Sequence, residues 1–183
     1  MNLRLGALFF AWDLIVLMRI VELRVSRRHE RALVARGGQV VAKSGLGLLV
    51  LAHVIWLLAW PVEVIGLATR APSVWPALAV GVVAAEALRL WTIATLGERW
   101  THRVVRLDGE PLVTRGPYRW LRHPNYVAVA AEVVLLPLAF GAWRSALVGL
   151  GLYLFGLSFR LPAEERALAP ARPQALDPRT TRP

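Results

Sequence analysis

Residues 44–60 read SGLGLLVLAHVIWLLAW, and His53 is their only ionisable side chain. As a helix the run reaches about 25 Å at 1.5 Å per residue, close to the hydrocarbon thickness of a bilayer. It is apolar on every side rather than along one stripe, so its natural solvent is lipid. Similar runs surround it: residues 3–23 upstream, then 73–96, 126–142 and 145–159 downstream, the last two short and joined around Gly141 and Arg144. The sequence therefore predicts an all-α, polytopic membrane bundle of five transmembrane helices whose last two form a short hairpin. Pro137 is expected to kink the fourth helix and to free a carbonyl that a neighbouring helix must satisfy. The composition agrees, with 56% of the 183 residues apolar.

Charge orients the bundle. The chain carries 22 Lys and Arg against 12 Asp and Glu, a formal net charge of +10. Six basic residues lie in 24–43, six in 97–126 and five from Arg160 onward, whereas the alternate loops hold only Arg70 and Arg144. Basic loops stay in the cytoplasm, which places the N-terminus outside and the C-terminus inside. The same clustering beside apolar runs argues against nucleic acid and for anionic lipid headgroups as partners. There is no cysteine, which excludes disulfides, zinc–thiolate sites and a thiol nucleophile. Asp13 and Arg19 interrupt the first apolar run and no small-x-small cleavage site follows, so it reads as an uncleaved membrane helix. Residues 1–168 form one expected domain, with a three-helix membrane part (1–96) and a catalytic part (97–168). The Pro- and Arg-rich stretch 169–183 is an expected disordered tail.

Ionisable residues within apolar runs need partners. Arg19 with Glu22, and Glu86 with Arg89, stand three apart and can pair within their own helices. Asp13 and His53 have no local partner and can face each other inside the bundle. Glu132 is either the floor of a pocket entered from the cytoplasm or a glutamate held by a neighbouring arginine.

The most unusual segment is 96–126, LGERWTHRVVRLDGEPLVTRGPYRWLRHPNY, where Gly109, Gly116, Pro117 and Pro124 prevent a continuous helix. Composition alone describes an interfacial loop anchored by Trp100, Tyr118, Trp120 and Tyr126. The order of residues says more. Gly116-Pro117-Tyr118-Arg119-Trp120-Leu121-Arg122-His123-Pro124-Asn125-Tyr126, led by Leu112-Val113-Thr114, resembles the isoprenylcysteine carboxyl methyltransferase family. So does Arg160-Leu161-Pro162-Ala163-Glu164-Glu165-Arg166-Ala167-Leu168, which begins 34 residues after Tyr126. The resemblance covers about residues 90–168, and the first half of the chain matches mainly as membrane helices.

The resemblance implies S-adenosylmethionine as methyl donor, with S-adenosylhomocysteine as product. Carried across by motif position, the cofactor shell comprises Glu110, Pro111, Leu112, Val113 and Tyr118, then His123, Pro124, Asn125 and Tyr126, and finally Glu164. Arg160 falls where the family orients its acidic substrate, Glu132 and Glu165 are further pocket candidates, and no metal is expected. The physical chemistry is compatible: apolar and aromatic residues pack an adenine, and a carboxylate accepts from an ammonium or hydroxyl. Methyl transfer to an anion needs positioning more than a strong base. Residues 21–31 with Glu132 and Pro137 resemble a bacterial branch whose members accompany type III polyketide synthases and O-methylate alkylpyrones. A lipophilic pyrone or phenol, or a prenylcysteine-like carboxylate, is then the expected acceptor, with a polyketide synthase as functional partner. The expected location is the bacterial inner membrane, with the active site on the cytoplasmic side. The rival readings are an NADPH-dependent membrane reductase of the sterol-reductase type, a phospholipid N-methyltransferase and a non-catalytic membrane protein.

Overall fold

The computed structural model describes residues 3–42, 45–107 and 110–169. Five helices follow the apolar runs: α1 (Leu3–Ala35), α2 (Leu46–Gly66), α3 (Trp75–Leu96), α4 (Pro124–Ala139) and α5 (Trp143–Leu168). Large apolar side chains such as Phe10, Val62, Val80, Val83 and Leu147 are exposed around the bundle, as lipid solvation allows. Among the described residues, three helical stretches, Leu46–Gly66, Trp75–Arg99 and Trp143–Leu168, are long and apolar enough to cross a membrane. By the same standard α4 is short, at 16 residues, and α1 carries Arg4, Asp13, Arg19 and Glu22.

The helices alternate in direction. One end gathers Arg4, Thr69 and Phe140, where Arg4 Nη2 donates to Thr69 Oγ1 and to the Phe140 carbonyl, both at 3.2 Å. The opposite end gathers the C-termini of α1, α3 and α5 with the N-termini of α2 and α4. Helices α2 and α5 are antiparallel and close. A Cβ on Gly149 would strike Trp56, one on Gly156 would press on Leu49, and one on Gly45 would strike the Arg160 backbone. Small residues at these crossings let the backbones approach.

Two of the three internal prolines, Pro61 and Pro137 but not Pro162, are matched to indoles. Pro137 frees the Val133 carbonyl four residues earlier, and Trp56 Nε1 donates to it at 2.9 Å. Pro61 likewise frees the Leu57 carbonyl, which accepts from Trp12 Nε1 at 2.8 Å. The donor expected from a neighbouring helix at Pro137 is Trp56, and the same device recurs at Pro61. Helix α5 begins on a borrowed cap: the Glu63 carboxylate accepts from the Ser145 amide at 2.7 Å, the Ser145 hydroxyl at 2.6 Å and the Arg144 amide at 3.2 Å. This satisfies first-turn amides that otherwise lack partners.

Three features depart from the sequence reading. First, the chain is mostly but not purely helical: β1 (Gln39–Ala42) pairs antiparallel with β2 (Val104–Arg106). Glycines and prolines keep the segment after α3 from continuing as helix, so its amides pair across to the α1–α2 connection instead. Second, α1 runs on through the first basic stretch to Ala35 and ends at Gly37, whose φ of 88° suits only a residue without a side chain. Third, α5 has 26 residues and carries the Arg160–Leu168 motif on its own last turns. Of the expected tail, only Ala169 lies within the described residues.

Candidate active site

At the strand-bearing end, a cavity of about 720 Å³ opens between the helices and the 97–123 segment. Sites that bury most of a small ligand fall in this size range. Its polar wall is built by α4 and α5. Pro124 starts α4 and is buried, a position where a missing amide proton costs nothing. Tyr126, two residues later, meets the last turns of α5. The Tyr126 hydroxyl donates to Glu164 and accepts from Arg160 Nε at 3.2 Å. Arg160 is 3% exposed, and its Nη2 donates to the His102 carbonyl at 2.8 Å. Arg160 and Glu164 are one turn apart, with Nε and Oε2 separated by 3.6 Å. His123 stacks on Tyr126 with ring centroids 5.6 Å apart, and its Nε2 lies 2.6 Å from Glu165. The two sequence motifs, 34 residues apart, are thus one hydrogen-bonded surface.

The sequence model of the isoprenylcysteine carboxyl methyltransferase (ICMT) family matches residues 77–170, which span both motifs. The chain belongs to this family. ICMT is a methyltransferase family whose members use S-adenosylmethionine. With three long apolar helices, membership makes the chain an integral membrane protein. It is similar to the Bacillus subtilis uncharacterized protein YpbQ, at 28% identity over 85% of this chain and 92% of that one. An uncharacterized Haemophilus influenzae protein is 31% identical over 88% of this chain and 94% of its own. No solved structure matches.

In this ICMT-family chain the rest of the cavity rim comes from the loop. Pro111, Leu112, Val113 and Tyr118 line it, as do Asn125 and Glu165. Tyr118 sits on a 3-10 turn (Gly116–Arg119), and burial, aided by nearby Glu164, pushes its hydroxyl above the ordinary tyrosine range. Asn125 Oδ1 is buried without a hydrogen-bond partner among the described residues, a vacancy that a ligand donor group would fill. Glu110 also lines the cavity, but Arg36 holds one of its oxygens at 3.1 Å and Arg99 the other at 2.5 Å. Arg99 also donates to the Pro111 carbonyl at 2.7 Å, which clamps the segment that bears Leu112 and Val113.

Of its two expected settings, Glu132 takes the one beside arginines. It is 0% exposed and does not line the cavity; it stands behind the wall, 3.6 Å from Arg19 and 3.9 Å from Arg89. Arg89 does not take Glu86 as its close partner. It makes a two-pronged contact with Glu22 of α1, at 2.7 and 2.5 Å. Arg19 pairs with Glu22 as expected, at 3.2 Å, and also reaches Glu86 at 3.5 Å. The reason is geometric: helices α1, α3 and α4 meet at this level, and an arginine fork fits a carboxylate presented end-on from another helix. Asp13 is exposed and His53 packs on Trp56 with ring centroids 5.1 Å apart, so they do not form the expected pair.

Sequence reasoning missed His102, Arg99 and Tyr153. The His102 amide donates to Ser26 Oγ at 2.8 Å while its carbonyl holds Arg160, so a backbone position does the positioning and no side-chain pattern marks it. Burial, reinforced by nearby arginines, lowers the His102 imidazole to about 4. Tyr153 had a signal. It stands seven residues before Arg160, two turns along the same face, and its hydroxyl donates to the Tyr126 carbonyl at 3.0 Å.

Proposed function

We propose that the chain is an S-adenosylmethionine-dependent methyltransferase that O-methylates a lipophilic acidic acceptor at the cytoplasmic face of a bacterial inner membrane. The observation that carries this reading is the convergence of Tyr126, Arg160, Glu164 and His123 on one cavity. The cavity's other arm is lined by apolar residues of α1 and α2, including Val16, Ile20, Leu49 and Leu57. A water-soluble donor and a lipid-soluble acceptor thereby reach one chamber from opposite sides. The alternating helix directions support five crossings, with the arginine-rich end in the cytoplasm.

S-adenosylmethionine, held by these residues, would supply an electrophilic methyl group, its sulfur keeping the electron pair of the bond that breaks when the acceptor oxygen bonds to the methyl. Leu112, Val113 and Tyr118 would pack the adenine, and Asn125 and Glu164 would accept from the donor's ammonium or hydroxyl groups. Glu165 fixes the His123 ring, which stacks on and orients Tyr126. Arg160 places its guanidinium beside the acceptor oxygen, favours its anion and so removes the need for a strong base. Glu110, held by two arginines, acts through the loop rather than on the ligand. The acceptor is a hydroxy-pyrone, a phenol or a prenylcysteine-like carboxylate, and the first of these links the chain to a polyketide synthase.

Calorimetric titration of the detergent-purified protein tests the reading. S-adenosylhomocysteine binds and NADPH does not, and Glu164→Ala weakens the binding. Binding of NADPH alone would overturn it. Membranes given labelled donor and a lipid extract then identify the acceptor, and label on a phospholipid amine would replace O- with N-methylation.

A further inference from the structure

The apolar arm of the cavity is interrupted by a polar level. The contacts of Gly45 with Arg160, Leu49 with Gly156 and Trp56 with Gly149 fix the register of α2 against α5. In that register His53, eight residues beyond Gly45, stands about 12 Å deeper in the bundle than Arg160. The Trp12–Leu57 bond brings α1 alongside, so that Arg19 falls near the same level. His53, Arg19, Glu22 and Arg89 all line the cavity there.

The hydrogen-bonding capacity at this level is uneven. Glu22 is occupied by Arg89 and Arg19. His53 Nε2 and Arg19 Nε are buried without a hydrogen-bond partner among the described residues. The His53 ring is held against Trp56, which is itself tied to the Val133 carbonyl, so Nε2 is presented from a fixed support. Arg19 Nε–H is a donor, as is His53 Nε2 in the tautomer that carries the ring proton there, and donors orphaned in an otherwise apolar passage are costly unless something accepts from them.

We infer that His53 and Arg19, backed by Arg89, form a second recognition site, for a carbonyl-type oxygen carried on the acceptor's tail. The inference rests on the acceptor reading above and sharpens it. The preferred acceptor is no plain alkyl chain; it bears a hydrogen-bond-accepting oxygen two to three helical turns from the oxygen that is methylated. An uncharged oxygen suits the level, because the carboxylates of Glu22, Glu86 and Glu132 already offset the two guanidiniums.

The test uses the full chain in lipid nanodiscs and a set of long-chain 4-alkylphenols. One member has a plain chain, and the others carry a ketone at successive chain positions. Binding is measured by calorimetry. In wild type, the best-placed ketone binds about tenfold more tightly than the plain chain, the scale of one well-made buried hydrogen bond. His53→Phe, which keeps the packing on Trp56, reduces that advantage to less than about twofold, and His53→Gln, which keeps a donor, retains part of it. Equal affinities across the wild-type series, no phenol binding at all, or an advantage that survives His53→Phe would overturn the site. Should His53→Phe fail to fold, the wild-type series and His53→Gln still decide. S-adenosylhomocysteine titration of the same samples reports donor binding alone, so failure of the methyltransferase reading is seen separately.

Discussion

At the loop end of the bundle, Arg160, Tyr126 and Glu164 are linked by directional hydrogen bonds and border open space. Between α1, α3 and α4, Arg19, Glu22, Glu86, Arg89 and Glu132 are linked mainly by ion pairs, and Glu132 touches no cavity. Both groups combine arginines with carboxylates within the same small bundle. Arg89 also edges the cavity, so the difference is how many carboxylates depend on each arginine. Around Arg160 there is a chamber, so losing the side chain removes a tool. Around Arg89 there are three glutamates, so losing it leaves charge stranded in a low-dielectric interior.

The largest expected effect follows from that contrast. Arg89→Leu lowers stability by about 3–5 kcal/mol in denaturant unfolding from bicelles, the usual cost of breaking a buried pair. A stable Arg89→Leu protein would erase the contrast from one side. Arg160→Ala lowers the methylation rate by about 100-fold, as for removal of one positioned charge-stabilising donor, and unfolds the protein far less than Arg89→Leu. Single-turnover rates and unfolding curves on the same preparations check both halves. Trp56→Phe leaves the Val133 carbonyl unpaired and costs about 1–3 kcal/mol, with Trp12→Phe doing the same at Leu57.

The smallest effect is a pH slope. His102, ordinarily near 6.5, is held neutral down to about 4 in the folded chain, so below the ordinary value the unfolded chain binds the extra proton. Stability contributed by neutral His102 is present above pH 6.5 and falls as the pH drops toward 4. The melting temperature of wild type therefore declines on acidification through this window more steeply than that of His102→Asn. Parallel curves would show that His102 does not carry the slope.

Much of this architecture was legible from residue order. Apolar runs located the helices, because a lipid-solvated helix announces itself by composition. The motifs carrying His123, Tyr126, Arg160 and Glu164 were legible because side chains form that surface. The pairing of 39–42 with 104–106 was not, since three or four residues are too few to set an alternation. The Arg89–Glu22 contact was also hidden, because spacing along one helix cannot announce a partner that another helix supplies. His102 escaped because its carbonyl does the holding, and every residue has one. Pro137 shows the opposite case: the vacancy it creates was readable, and only the identity of the donor, Trp56, needed three dimensions.

The two indole-to-carbonyl bonds share a direction in time. Trp12 precedes Pro61 in the chain, and Trp56 precedes Pro137. A nascent chain emerges from its N-terminus, so the segments broken by Pro61 and Pro137 reach the lipid after the segments that bear their rescuers. The ribosome's own order of delivery thus spares the growing protein a naked carbonyl in oil. A circular permutant starting within α4 would reverse that order for Pro137 and insert less efficiently, although its finished fold would contain the same bonds.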